Sequence, residues 1–175
     1  MVVKKKFYDV ELEIIGLKVP VIARDPETLI GQTVKYDITK ILRGKNCESR
    51  FKIKKTNGKL KGEIYFFKIQ PSFIRKMIGR NISIVEDSFV VKGPNVSIRI
   101  KPFLITRRQV HRTVRKALRD GAAAFIKKRL EDKTRDKVFQ DVISASLQRN
   151  MSKFLKKIYP LAVSEIRMLK VEPKH

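Results

Sequence analysis

Arg108, Arg112, Arg115 and Arg119 recur at i, i+4, i+7 and i+11, the spacing that lines side chains along one face of an α-helix. With Arg107 and Lys116 they belong to a run from Lys101 to Arg119 that contains seven basic residues and no acidic one. A helix face that only meets water usually interleaves Glu with Lys, because i, i+4 ion pairs steady it; this one does not. Arg also outnumbers Lys here. A guanidinium fork grips phosphate oxygens with two parallel hydrogen bonds, whereas an ammonium is a point charge. The chemistry this face suits is binding of a phosphate backbone, with the arginines projecting together away from the apolar side of the helix. Lys127, Lys128 and Arg129 extend the charge, but Glu131 and Asp132 follow at once, and a solvated face explains that trio equally well.

Two further cationic groups stand apart from that helix. Lys52, Lys54, Lys55, Lys59 and Lys61 crowd a turn at Asn57-Gly58, where they suit RNA or serve to protect a sheet edge from aggregation. Arg75, Lys76 and Arg80 follow Pro71 on a short helical turn and its exit. Among the aromatics, Phe51, Phe66 and Phe67 fall on apolar strand faces and Phe125 and Phe154 on apolar helix stripes, so each is expected in the core. Phe7 and Tyr8, beside the N-terminal lysines, are freer to stack on bases.

Catalysis finds no constellation. His111 lies in the arginine-rich segment and His175 is the last residue, and neither has a partner that could make it a general base. The single thiol, Cys47, cannot form an internal disulfide and reads as a small buried hydrophobe. There is no Gly-rich phosphate loop, nucleophile elbow or kinase signature, and the carboxylates are scattered. No catalytic residue, metal ligand, cofactor or small-molecule substrate is assigned. A metal-dependent nuclease would need carboxylates that converge only in the fold, so it stays as an alternative.

The whole chain carries the same bias as its arginine helix. In 175 residues, 41 Lys plus Arg face 17 Asp plus Glu, a formal net charge of +24 that would repel itself without a polyanionic partner. Apolar residues make up 42 %, too many for a disordered basic tail, so a folded body is expected. No apolar stretch is long enough for a spanning helix, and Asp9 and Glu11 interrupt any signal-peptide core after Lys4, Lys5 and Lys6, so a cytoplasmic protein without a membrane partner is expected. A DNA- or chromatin-binding protein has the same charge, but no helix-turn-helix, zinc finger or basic zipper is visible.

The elements that must hold these residues read as strands first and helices later. Runs at 17–24, 33–42, 50–55, 59–70, 81–91 and 96–105 are strands, with Asn57-Gly58 and Lys92-Gly93-Pro94-Asn95 as turns. Ile64-Tyr65-Phe66-Phe67 is apolar on both faces, which marks a central strand. After Thr106, read as an N-cap, Val110, Val114, Ala117, Leu118, Gly121 and Phe125 form a helical stripe. Thr134 caps a second helix, a third carries Leu147 to Ile158, and Leu161 to Val171 alternates as a returning strand. The fold class is α+β: an antiparallel barrel-like core of about five to seven strands, C-terminal helices packed beside it, and a last returning strand. One domain over 1–175 is expected, with a basic N-terminal segment at 1–16, a β-rich core at 17–105, a basic helical part at 106–159 and the final strand at 160–172.

Three stretches carry a resemblance: Asp25-Pro26-Glu27-Thr28-Leu29-Ile30-Gly31, Lys101-Pro102-Phe103-Leu104-Ile105-Thr106-Arg107-Arg108, and Lys157-Ile158-Tyr159-Pro160-Leu161 followed by Glu165-Ile166-Arg167. In this order they resemble the archaeal and eukaryotic small-subunit ribosomal protein family called S three A e, and the compact length is similar to that of archaeal members. After Gly31 the chain departs from the family, with Gln32, Lys35 and Asp37 where Arg, Glu and Ser are usual. The resemblance implies a ribonucleoprotein component of the small subunit that takes part in translation. It implies contact with the small-subunit rRNA including its 3′ region, a seat on the platform near the mRNA exit, and neighbouring platform ribosomal proteins as partners.

Overall fold

Alternation of apolar and polar residues builds the sheet, and a switch to helical spacing after residue 110 builds the layer beside it. The computed structural model describes residues 5–42, 44–56, 58–93 and 96–172. In chain order the elements are β1 (Lys6–Leu12), β2 (Leu17–Ala23), a 3-10 turn (Pro26–Leu29), β3 (Thr33–Asp37), β4 (Cys47–Thr56), β5 (Lys59–Ile69), α1 (Pro71–Met77), β6 (Ile84–Glu86), β7 (Phe89–Lys92), β8 (Ser97–Thr106), α2 (Arg112–Leu130), α3 (Arg135–Ile143), α4 (Ser146–Leu155) and β9 (Leu161–Glu172). The α+β class and the returning final strand are as expected.

The strands form one open sheet in the order β2-β1-β5-β9-β8-β6, with β4 also on β5, β3 outside β4 and β7 on β8. It does not close into a barrel. Every pairing is antiparallel except β1 with β5, which run parallel at Glu11↔Lys61 and Leu12↔Gly62. A Cβ added to Gly62 would lie 2.6 Å from the Leu12 Cδ2 and 3.3 Å from the Phe51 Cβ, so a residue without a side chain lets these strands meet. The central position of β5 follows from its apolar centre, and the β4–β5 hairpin closes at Thr56↔Lys59 over Gly58, whose φ is +76°. Asn57 and the tip of the β7–β8 turn at 94–95 lie outside the described residues, as do Lys4 and His175.

Four expectations change. Among the described residues there are nine strands rather than five to seven. One of them, β1, occupies the segment expected to be a basic N-terminal segment: Val10 and Leu12 are fully buried, and the Tyr8 hydroxyl donates to the Arg24 carbonyl at 3.3 Å, so of its two aromatics Phe7 is the exposed one. The expected strand at 81–91 is two, β6 and β7, because Asp87 accepts from the Ser88 N–H at 2.7 Å and bends the chain between them. The strand expected at 33–42 stops at Asp37, whose carboxylate accepts from the Thr39 N–H at 2.8 Å and from the Thr39 hydroxyl in an Asx turn.

The core is continuous. Phe51, Phe67, Phe103 and Phe139 are its largest members, and α4 lies on β9 while α2 reaches β6 and β7. The helices α2 and α4 approach closely at Gly121, where an added Cβ would stand 3.0 Å from Ile158 and 3.2 Å from Leu155. Phe125 and Phe154 stack on each other at 5.3 Å in the same contact. Cys47 is buried in the sheet, and burial, reinforced by Glu165, pushes its thiol up to about 12; it is an inert hydrophobe.

Candidate nucleic-acid interface

The arginine-rich segment hangs from a buried polar knot. Thr106, expected as the N-cap of α2, is instead the last residue of β8 and is fully buried. Its hydroxyl donates to the Arg108 carbonyl at 2.6 Å and accepts from the Ser83 N–H at 2.9 Å, while the Val110 N–H donates to the Ser83 hydroxyl at 3.0 Å. These bonds fasten the bend that carries Arg107 and Arg108, both exposed and neither helical. The N-cap is His111, whose Nδ1 accepts from the Thr113 N–H at 3.4 Å. The helix starts five residues later than expected because Thr106 stays in β8, paired with Leu161 of β9, and the residues after it form the bend fastened to Ser83.

Inside α2 the buried stripe is Leu118, Ala122, Ile126 and Leu130; Ala117, expected in it, is exposed. At about 100° per residue, Arg112, Arg115 and Arg119 fall within about 60° of one another, with Lys116 next to them. That azimuth does not point away from the core. Arg112 is in line with Leu130, and Arg119 lies within about 20° of Ile126, so the arginines occupy the side that turns core-facing further along the helix. The first turns of α2 overhang the sheet edge at β6, and a cleft of roughly 430 Å³ opens there between Ile84 and the side chains of Arg112, Arg115, Lys116, Arg119 and Asp120. All four cations are exposed. The placement is also electrostatically awkward, because Arg112 and Arg115 sit at the positive end of the helix dipole with no acidic residue in the first turn. Lys127, Lys128 and Arg129 occupy the last turn, where the dipole itself favours cations, and Lys127 lies over the Phe89 ring at 5.8 Å.

The hairpin lysines are only partly available. Lys52, Lys55 and Lys59 are exposed, but Glu63 stands opposite Lys52 and pairs with Lys54 at 2.7 Å, and Lys61 pairs with Glu13 at 2.6 Å. Glu63 also receives Arg135 at 2.8 Å, which ties the start of α3 to β5. Burial alone would raise the Glu63 carboxyl, but the hydrogen bonds from Lys54 and Arg135 outweigh it and hold the group below its ordinary 4.5. A depressed carboxylate adds stability above its unfolded pKa and loses it as pH falls through the folded value. Glu63→Gln is therefore expected to cost about 1–2 kcal/mol in urea unfolding at pH 7, with the gap from the parent closing below about pH 4. A gap of the same size in acid would show that the cost is not electrostatic. Arg75, Lys76 and Arg80 are exposed at the end of α1 and after it.

One group of cations has no counterpart in the sequence reading. Phe66, expected in the core, lies half-exposed on the outer face of β5 under the Arg50 guanidinium, 4.8 Å from the ring centroid. Arg50 in turn donates to Glu48 at 2.8 Å, and that hydrogen bond holds the Glu48 carboxyl below the usual carboxylate range. Arg50 and Phe66 stand opposite each other across the β4–β5 hairpin, so the sheet register brings them together.

Among the described residues no three His, Cys, Asp or Glu side chains are placed to hold a metal ion, and no helix is long and apolar enough to cross a membrane. An α+β body with a net charge of +24 and an open arginine-lined cleft belongs to the class of basic proteins suited to a polyanionic partner. The family comparison narrows this class. The chain belongs to the ribosomal S3Ae family, whose model matches residues 2–175. It is 28 % identical over 157 residues to the small ribosomal subunit protein eS1 of Nanoarchaeum equitans, covering 87 % of this chain and 79 % of the relative. The protein of the same name from Sulfolobus acidocaldarius is 27 % identical over 165 residues, 83 % of each chain. That of Saccharolobus islandicus is 26 % identical over 163 residues, 83 % of this chain and 78 % of the relative.

Proposed function

We propose that this protein is a structural constituent of the small ribosomal subunit in the cytoplasm, and that it binds rRNA through phosphate-facing basic surfaces led by the α2 cleft. The observation that carries the reading is the set Arg112, Arg115, Lys116 and Arg119, which line an open cleft with Asp120 and, among the described residues, make no ion pair within 4.0 Å, the first two standing at the positive end of a helix dipole. Cations placed there cost stability in the free protein, and an external polyanion removes the cost. Arg107 and Arg108 on the adjoining bend, Lys52, Lys55 and Lys59 at the hairpin, and Arg75, Lys76 and Arg80 after α1 add secondary contacts. Lys54 and Lys61 contribute less, since each already has a carboxylate.

The names of the relatives support the small-subunit assignment, and the family resemblance supports a seat on the platform near the mRNA exit, close to the 3′ region of the rRNA and to neighbouring ribosomal proteins. Sedimentation of a cell extract through a sucrose gradient tests the reading. The protein is expected with the small-subunit particles, and RNase treatment is expected to release it. Retention on DNA after RNase, with none on the particles, would replace this reading with a chromatin role.

A further inference from the structure

The outer face of the central strands carries a second, separately built surface. Sheet register places Lys35, Arg50, Phe66, Lys170 and Arg99 in one row across β3, β4, β5, β9 and β8, and Lys68, Met168 and Lys101 in a neighbouring row. Between the rows Phe67, Leu169 and Ile100 point to the opposite side and are buried, so the two rows share the face that the core does not use. The cations on this face fall into two kinds. Arg50 and Arg99 are paired, with Glu48 at 2.8 Å and Glu172 at 2.7 Å. Lys68, Lys101 and Lys170 have no carboxylate within 4.0 Å among the described residues. A hollow of roughly 450 Å³ beside Lys68, Lys101 and Met168 borders the face and ends at Glu86, Asp87 and Arg167, the last paired with Glu86 at 2.7 Å.

Arg50 is held in one orientation. Gln70 donates to one Glu48 oxygen at 3.2 Å, the other Glu48 oxygen accepts from the Arg50 Nε at 2.8 Å, and the guanidinium lies over the Phe66 ring at 4.8 Å. The Nε–H belongs to the fork with which arginine grips a carboxylate, and it is already taken. What remains for a ligand is the Nη end of the guanidinium and its flat outer side, with the side chain 36 % exposed. A fixed guanidinium plane is a platform on which a nucleobase stacks, and free ammonium groups beside it suit the adjoining phosphates. An acidic peptide would use the lysines but gain nothing from the plane.

We propose that this face binds unpaired nucleotides of RNA: one base stacks on Arg50 backed by Phe66, and the flanking phosphates meet Lys170, Lys68 and Lys101. The inference rests on the RNA-binding reading but concerns a surface separate from the α2 cleft. The test uses the full chain, a fluorescent oligouridylate of about ten nucleotides and an RNA duplex of about 16 base pairs, with anisotropy read between about 50 and 200 mM KCl. Arg50→Lys keeps the charge and loses the plane, so it is expected to weaken the oligouridylate about tenfold with an unchanged salt slope and unchanged duplex affinity. Phe66→Leu keeps the apolar volume and is expected to act in the same direction. Replacing Lys68, Lys101 and Lys170 with Gln is expected to lower the oligouridylate slope by about two. Thermal melts confirm that each variant is folded.

Oligouridylate affinity within twofold of the parent for both Arg50→Lys and Phe66→Leu would overturn the proposal. So would a decaglutamate peptide that displaces the oligouridylate at lower concentration than unlabelled oligouridylate does, which would assign the face to an acidic protein. In either case duplex binding that still depends on Arg112, Arg115 and Arg119 would leave the cleft reading intact, whereas loss of that dependence would strike the cleft alone.

Discussion

Replacing Arg112, Arg115 and Arg119 together by Ala is expected to weaken rRNA binding by on the order of 10²–10³ at physiological salt and to flatten the log–log salt dependence by about 2.7. Each guanidinium that leaves a phosphate also leaves its released counterion behind, which is why affinity and slope fall together. The free protein should move the other way. Arg112 and Arg115 stand at the positive end of α2 without an acidic neighbour in the first turn, so their removal is expected to stabilise the fold by about 0.3–1 kcal/mol each. Weaker binding combined with an equal or higher melting temperature distinguishes an interface from a structural element. A variant that binds as well as the parent, or that melts several degrees lower, would remove α2 from the interface.

The second large effect is expected at Thr106. Thr106→Val keeps the shape but leaves the Ser83 N–H and the Arg108 carbonyl without their partner in a fully buried setting. The cost is about 2–3 kcal/mol, a fall in melting temperature of roughly 5–10 °C for a protein of this size. The bend with Arg107 and Arg108 is fastened by the same hydroxyl, so rRNA affinity should fall too, measured well below the melting transition. Thr106→Ser retains the hydroxyl and should recover most of both. If Val is tolerated, the knot does not position the arginines.

Much of this architecture was legible because local rules and tertiary structure agree. Asn57-Gly58 between alternating runs specified the β4–β5 hairpin, and the doubly apolar centre of β5 marked its place inside the sheet. Elsewhere the local signal was sound and its frame was not. The arginine spacing in α2 is helical as read, but the first turns of a helix can outrun the sheet they lie on. The azimuth judged from Val114 and Gly121 is therefore not the one that Ile126 and Leu130 bury. Thr106 has the residue type of an N-cap, and nothing in a one-dimensional pattern distinguishes that from a threonine buried at a strand end. β1 was missed because its outward residues Asp9 and Glu11 are charged and follow a run of lysines, although its hairpin partner β2 comes directly after it. The row from Lys35 to Arg99 had no local signature at all, since five strands contribute one residue each.

The position of β9 has a consequence for how the polypeptide is made. It is the last strand in chain order, yet it lies between β5 and β8 and joins the two halves of the sheet. While synthesis has not yet reached residue 161, both of those strands present open backbone edges and apolar side chains to the cell, the condition under which chains aggregate. Long-range pairing of this kind is slow to form. The nascent protein is thus exposed to misassembly until its final segment emerges, and its cationic surface favours an early encounter with RNA during that interval.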